Sequence, residues 1–597
     1  MSSGNHPGGA DRPAPGGKPL KSFKDLARSR GIEPKAEAAP RDDKPFTFDG
    51  SLDTDAASDS ESLRHGTARE RIASRPRAFG PMAHGPACYR DDGSEEMQIL
   101  ASFRVRTVFP RDVREETAHL PANPTPEDLV GRLDLRDTTI FTIDGDDAKD
   151  FDDAISIEPL EKGAWRVGVH IADVAHYVRP GTALDAEALA RATSVYVADQ
   201  VVPMLPEELS NGLCSLVQGH DRLTYSVLMT FDAAGRRTEA SVHKSVIHSR
   251  RRTTYRGVQE LLDRAGTPEA QGLEFLRVPL EQFKAWTLIQ QKLRDQKGSL
   301  RMPSRERKFV FDERHEVVKV VDYPRYFSMT LIEETALAAN QAVGDLFRER
   351  GLPTIYRVHP EKSPDEIEAV AKQLEEFGLH VPTKERLTGR DIGRLIRAAR
   401  KKPNAEALIQ RILGLIERAV YEVHDHEDVA THFGLARKAY LHFTSPIRRY
   451  PDLLVHRWLW SVESRPGEAR TELQAEALLA DLNEIASHCS AQAEVAEMCE
   501  TAIGDLKVCQ YMHPHVGLKL DAKVARVSHA GLELHLTAFN VNGFLPAKKI
   551  GDRVEVSGPT LQIRQGKKRL SFTEGYPIAV RLVDVDFLRL QLMFELA

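Results

Sequence analysis

Six aspartates crowd between positions 144 and 153, in the stretch Thr142-Ile143-Asp144-Gly145-Asp146-Asp147-Ala148-Lys149-Asp150-Phe151-Asp152-Asp153-Ala154. Like charges repel, so a compact domain that gathers Asp144, Asp150, Asp152 and Asp153 needs positive charge among them. A hard divalent cation with oxygen ligands, Mg²⁺ or Mn²⁺, is the usual answer. Two other readings stand beside it. The aspartates can cap turns and face water, or the stretch can be a calcium loop. The second fits poorly, because the spacing is not that of a helix-flanked calcium loop and no Glu stands at its last position.

The flanks favour the metal. Ile140, Phe141 and Ile143 before the stretch, and Ala154, Ile155 and Ile157 after it, predict two short buried strands. Solvated acidic runs are rarely set between such strands. Trp165 to Val178 reads as a strand passing into a turn. His170, Asp173 and His176 there lack a second ligand cluster at metal spacing, which favours a structural role. Tyr196 to Leu216 reads as an irregular loop closing with a helix start, and Tyr225 to Phe231 as a strand.

Helices are expected in the middle of the chain. Ser363-Pro364-Asp365-Glu366 is a cap signature, with apolar residues at helical spacing from Ile367 to Phe377 and a stop at Gly378. Leu331 to Leu346, Leu408 to Val423 and Leu473 to Tyr511 carry the same period. From Gly517 the pattern changes to short alternating strands: 520–527, 532–536, 543–545, 553–556, 569–572, 580–585 and 590–596. That spacing predicts a small all-β barrel of the oligonucleotide-binding kind.

The chain has 597 residues, 41% hydrophobic and 28% charged, the balance of a soluble globular protein. At ~150 residues each, that length suggests about four domains. No apolar run approaches a membrane span, and no secretory signal is evident. Residues 1–95 are rich in Gly, Pro, Ser, Asp and Arg and are expected to be disordered, with a short helix possible over 23–30. The net charge of −6 does not announce a nucleic-acid binder. Arg250-Arg251-Arg252, Arg305 to Lys308 and Arg448-Arg449 are candidates for a local basic path. The five cysteines form no CxxC pair, so thiols in a reducing cytoplasm are the simplest reading.

Four stretches together resemble the ribonuclease II/ribonuclease R exoribonucleases, and the details are closer to ribonuclease R. They are Thr142 to Ala154; His170-Ile171-Ala172-Asp173-Val174; Val202-Pro203-Met204-Leu205-Pro206 with Leu209 to Leu216; and His442-Phe443-Thr444-Ser445-Pro446-Ile447-Arg448-Arg449-Tyr450-Pro451-Asp452-Leu453. They follow the family's order across roughly residues 100–597. The resemblance implies an α+β fold: a linker over 96–125, a catalytic domain over 126–512 and an RNA-binding OB-fold barrel over 515–597. No cold-shock barrel is recognisable in residues 1–95.

The activity implied is processive hydrolysis of RNA from single-stranded 3′ ends to nucleoside 5′-monophosphates with Mg²⁺, by a cytoplasmic monomer. Asp144, Asp150, Asp152 and Asp153 match the family's metal-binding aspartates, and Asp152 the one on which activity most depends. Arg448 matches the active-site arginine, a group able to clamp phosphate and stabilise a pentacoordinate phosphorus. Glu334 matches a carboxylate near the last nucleotides. Tyr196 and Tyr255 match RNA-contacting rings, and Arg449 extends the basic run toward RNA. Where the family clamps terminal bases with Phe, this chain has Met302, which implies a softer stack. Ala530 likewise replaces an aromatic in the terminal barrel. A different class, an RNA-binding regulator that has lost hydrolysis, would tolerate loss of some of the four aspartates, and all are present.

Overall fold

The apolar runs on either side of the acidic stretch form strands, Ile140–Asp144 and Asp153–Pro159, paired antiparallel through Phe141 and Ile155. In the computed structural model the residues described are 95–300, 307–382, 387–402, 404–424, 431–464, 471, 476–539 and 541–597. The disorder and short helix expected before Glu95, and Met302, lie outside them.

Three more strands join the first two: Trp165–Ala172, Asp221–Phe231 and Arg237–Thr254. The last is long enough to serve twice. Its first part pairs antiparallel with Asp221–Phe231, and its end pairs parallel with Ile140–Asp144. The pairings therefore run full circle. Strand alternation puts Val167, Val169, Ile171, Val227 and Met229 into the main core. His170 and Ser226, directly opposed across the sheet, lie on its other face.

The expected role of the His170–His176 segment is structural, and its partners are those of a packed polar interior. His170 is fully buried between the hydroxyls of Ser156 and Ser226, at 2.9 and 2.6 Å. Burial pushes its imidazole down to about 3, so it is neutral. Asp173 is paired with Arg132 and Lys244, and His176 with Asp128.

The helix capped by Ser363 spans Pro364–Glu375, and its capping box is formed as expected. Phe327–Glu349 covers the helix expected over Leu331 to Leu346. Gly344 lets this helix touch the segment leading to the fourth motif: an added Cβ would lie 2.0 Å from the Ala439 carbonyl. The helix expected over Leu408 to Val423 is cut short. It covers Ala405–Leu413, and Val420–His424 is instead a strand paired with Thr354–Val358. Val420, Tyr421 and Val423 favour an extended backbone, and an available edge decided the outcome.

The long helix spans Glu476–Met512. Its cysteines sit ten positions apart, an advance of ~15 Å between neighbours, and each enters a different core. Cys489 packs in the main core, Cys499 with Leu100 and Phe103, and Cys509 with the C-terminal barrel. One helix thus ties the three together. Residues 96–125, expected as a linker, include helices Glu95–Ser102 and Arg111–Ala118 packed into these cores. Buried Glu96 pairs with Lys507 of the long helix.

Strands Lys519–Ser528, Gly531–Leu536, Val541–Pro546, Gln591–Leu596 and Pro577–Asp586 close a five-stranded barrel, in that spatial order. Beside it lies a three-stranded sheet that includes Thr560–Gln565, a strand not anticipated from the sequence. Among the described residues no helix is long and apolar enough to cross a membrane.

Arg411 reaches from the helical region to the terminal barrel and holds Glu574 with two nitrogens, at 2.9 and 2.7 Å. Glu574 is 1% exposed. Arg411→Met leaves that buried carboxylate without its counter-charge, although the Val527 N–H still donates to it, and should cost about 3 kcal/mol of stability. Pairing it with Glu574→Leu should recover most of the loss. Thermal melts of both variants check this, and a single variant as stable as the parent refutes it.

Candidate active site

Because Ile140–Asp144 ends where Asp153–Pro159 begins, the two strands hold Asp144 and Asp153 at adjoining ends, and residues 145–152 must turn between them. Backbone turns of this length need outside partners for their polar groups, and the other motifs supply them. The Ala172 N–H, in the second motif, donates to the Asp152 carbonyl at 2.9 Å. From the third motif, the Leu216 N–H donates to the Phe151 carbonyl at 3.0 Å. Ser215 Oγ accepts from the Phe151 N–H at 3.0 Å and donates to the Lys149 carbonyl at 2.7 Å. The fourth motif touches the carboxylate itself, its Ile447 N–H donating to Asp152 Oδ1 at 2.8 Å. On the opposite limb, Arg252 Nη2 donates to the carbonyls of Gly145 and Asp146, at 2.6 and 2.8 Å.

Asp152 is 4% exposed, and Arg448 Nε lies 3.7 Å from its Oδ2. Burial drives its carboxyl well above the usual range, and Arg448 works against that shift. Asp144 is also raised, by burial first and then by the neighbouring charge of Asp153. Its Oδ2 is buried with no hydrogen-bond partner. Burial raises Asp153 to about 6 against the pull of Arg448 and Arg449. Asp150 Oδ2 accepts from the Tyr196 hydroxyl at 3.0 Å.

Among the described residues no three His, Cys, Asp or Glu side chains are gathered tightly enough to hold an ion as they are turned. The donor chemistry nevertheless fits a hard cation. Every candidate ligand is a carboxylate oxygen, one of them buried and unpartnered, and three of the acids resist ionising beside one another. Asp144, Asp150, Asp152 and Asp153 would be its holders.

Tyr196 stands on a short hairpin, Val195–Val197 with Gln200–Val202, where an irregular loop was expected. The hairpin is fastened to the fourth motif. The Ser194 N–H donates to the Arg448 carbonyl at 3.1 Å, and Thr193 bridges to Arg449. Its ring is 39% exposed beside the acidic loop. Tyr255 begins the helix capped by Thr254. Thr254, the residue before it, pairs with Asp144 across the sheet, and burial, then the charges of Asp153 and Asp144, raise the Tyr255 phenol.

Arg448 keeps 40% of its side chain exposed. Two other expected site residues have ion-pair partners of their own. Arg449 gives Nε and Nη2 to Asp452, at 2.9 and 2.7 Å. Glu334 is 1% exposed and meets Arg294 at 3.1 Å, where helix Arg277–Lys297 packs on Phe327–Glu349.

Sequence reasoning missed Ser215 and Arg252 as braces. Both lay in stretches singled out for other reasons, and nothing in their spacing announced a contact to the loop. Glu500, whose Oε1 accepts from the Tyr196 N–H at 2.8 Å, is one acid among several on the long helix and carried no signal.

Residues 132–465 match the model of the RNB domain. Ribonuclease R of Thermotoga maritima is 37% identical over 488 residues, covering 82% of this chain and 68% of that protein. Ribonuclease R 1 of Lactococcus lactis is 33% identical over 511 residues, covering 85% of this chain and 61% of that one. The chain therefore spans about three fifths to two thirds of these relatives' length. The apo form of Mycoplasma genitalium RNase R shares the fold at a TM-score of 0.74 and 25% identity, over 84% of this chain and 77% of that one. With more than half its length inside the family model, and relatives alike across most of the rest, the chain belongs to the RNB-domain family of ribonuclease R-like proteins.

Proposed function

We propose that the protein is a processive 3′→5′ exoribonuclease, acting as a monomer, that hydrolyses single-stranded RNA ends to nucleoside 5′-monophosphates with Mg²⁺. One observation carries this reading: a buried carboxylate, Asp152, on the loop that also bears Asp144, Asp150 and Asp153, lies beside a half-exposed guanidinium, Arg448. A regulator without hydrolysis would have no use for that costly arrangement.

When bound, a divalent ion supplies an activated water and a counter-charge for the leaving oxygen. The chain's own groups do the rest. Arg448 presents planar donors to the phosphate and stabilises the charge that grows on it during attack. Burial of Asp152 lowers the local dielectric and strengthens that effect. The Tyr196 ring offers a base-stacking surface whose hydroxyl is tied to Asp150, so the last nucleotide is registered against the acids. Stacking tolerates any base, which suits degradation without sequence preference. The C-terminal barrel gathers the strand.

Asp152→Asn keeps the acceptor for Ile447 but removes the charge. It should abolish monophosphate release while leaving RNA affinity unchanged, read by product sizing and by binding of a labelled strand. Turnover at the parent's rate would overturn the assignment. Arg448→Ala should slow cleavage by about 10²–10³-fold.

Protonation gives a second check. Metal-free, folded Asp153 holds its proton more tightly than the unfolded chain does, so stability falls as pH rises from the ordinary carboxylate range through about 6. A cation competes for those sites. Mg²⁺ should therefore raise the melting temperature more at about pH 7.5 than at about pH 5, and equal gains would count against a carboxylate-bound ion.

A further inference from the structure

The turn after Pro206 is unusual in hydrogen bonding. Residues Glu208–Leu213 form a single π-helical turn, a feature often found where a side chain must be delivered to a functional site. Here the delivered residue is Ser215, fully buried. Its hydroxyl is saturated by two backbone groups of the acidic loop, the Phe151 N–H and the Lys149 carbonyl. These flank Asp150 on either side. Its own carbonyl accepts from Arg222 Nε at 2.9 Å, and Arg222 Nη2 reaches the Gly212 carbonyl at 3.3 Å. Arg222 is 4% exposed on the neighbouring strand. A continuous chain of contacts thus runs from the sheet through Arg222 and Ser215 to the peptide groups beside Asp150.

We propose that Ser215 is a positioning residue for cation binding: it fixes the peptide groups on either side of Asp150, so that Asp150 and Asp152 stay within reach of one divalent ion. This rests on the metal-dependent reading given above. Ser215 touches neither ion nor RNA. Without it the Phe151 N–H and Lys149 carbonyl lose their common partner, and that limb of the loop is left to the Leu216–Phe151 hydrogen bond, the Tyr196 hydroxyl on Asp150 and the contacts at Asp152. The acids can then spread under their own repulsion. Partners of this kind, one shell out from a metal, typically contribute about 10–100-fold in affinity.

The same turn contains its own control. Ser210 is also buried, yet its hydroxyl has no hydrogen-bond partner among the described residues. Calorimetric titration of the full chain with Mn²⁺ alone should show Ser215→Ala binding about tenfold more weakly than the parent, with Ser210→Ala unchanged. Raising Mg²⁺ should restore most of the cleavage lost in Ser215→Ala and none of that lost in Asp152→Asn. RNA affinity without metal should match the parent in all three. Equal Mn²⁺ affinity in Ser215→Ala and the parent overturns the proposal, as does an equal loss in Ser210→Ala. If Ser215→Ala fails to fold by its thermal melt, Ser215→Thr, which keeps the hydroxyl, decides: affinity near the parent's supports the bracing role, and a tenfold loss overturns it. A parent that binds no Mn²⁺ instead defeats the metal-dependent function itself.

Discussion

Mutual repulsion among carboxylates that the fold has taken out of water governs how this molecule is built. Asp144, Asp152 and Asp153 are each pushed toward their neutral forms chiefly by burial, and Asp144 and Asp152 also by the aspartates beside them. A buried charge without compensation is among the costliest features a fold can carry. The loop therefore cannot hold itself. It is held from outside: by Arg252 on one limb, Ser215 and Leu216 on the other, and Ala172, Ile447 and Arg448 where it returns to the strand at Asp152. The four motifs, distant in sequence, are in this sense one device. Each contributes a donor, an acceptor or a positive charge to the same ten residues.

That device needs a frame that does not give. The ring of strands supplies one, because a strand that pairs at both ends of its length leaves the loop's two roots no freedom to separate. The long helix extends the rigidity outward, joining the catalytic core to the terminal barrel and to the helix beginning at Glu95 through side chains in three cores. Loss of packing at any of the three is therefore felt at the others through one continuous hydrogen-bonded rod.

The parts of this arrangement visible in the sequence are those that periodicity and local chemistry control. The flanking strands, the Ser363 capping box, the long helix and most strands of the terminal barrel follow from patterns within a few residues. What failed did so where tertiary context chose between local options. Val420 to Val423 could continue a helix or extend, and the edge offered by Thr354–Val358 settled it. The aspartates were legible because a chain rarely concentrates that much like charge between apolar strands. Arg449 was not, since nothing in the run Arg448-Arg449 says that one guanidinium stays half exposed while the other is absorbed by Asp452. Ser215 was hidden for a similar reason: a serine in a turn is common, and only the three-dimensional path of the loop shows what its hydroxyl meets.

The net charge of −6 looks unsuited to a protein that takes up a polyanion, but the sum conceals where the charges go. Much of the basic content is paired internally. Arg106 and Arg191 share Glu187, Arg457 meets Asp185, Arg132 and Lys244 share Asp173, and Arg411 holds Glu574. Arg252 is turned onto loop carbonyls, and Lys308 lies 3.7 Å from Asp147. Pairs of this kind cancel at a distance and leave little field for steering RNA. On the proposed reading the positive charge that matters is local, Arg448 together with the ion that the aspartates would hold. Such a charge acts over about a Debye length, ~10 Å, rather than over the whole surface. Under that proposal, stacking and the terminal barrel bring an RNA end close before the site attracts it. In the proposed enzyme this division of labour would favour an end that has been threaded over any passing phosphate.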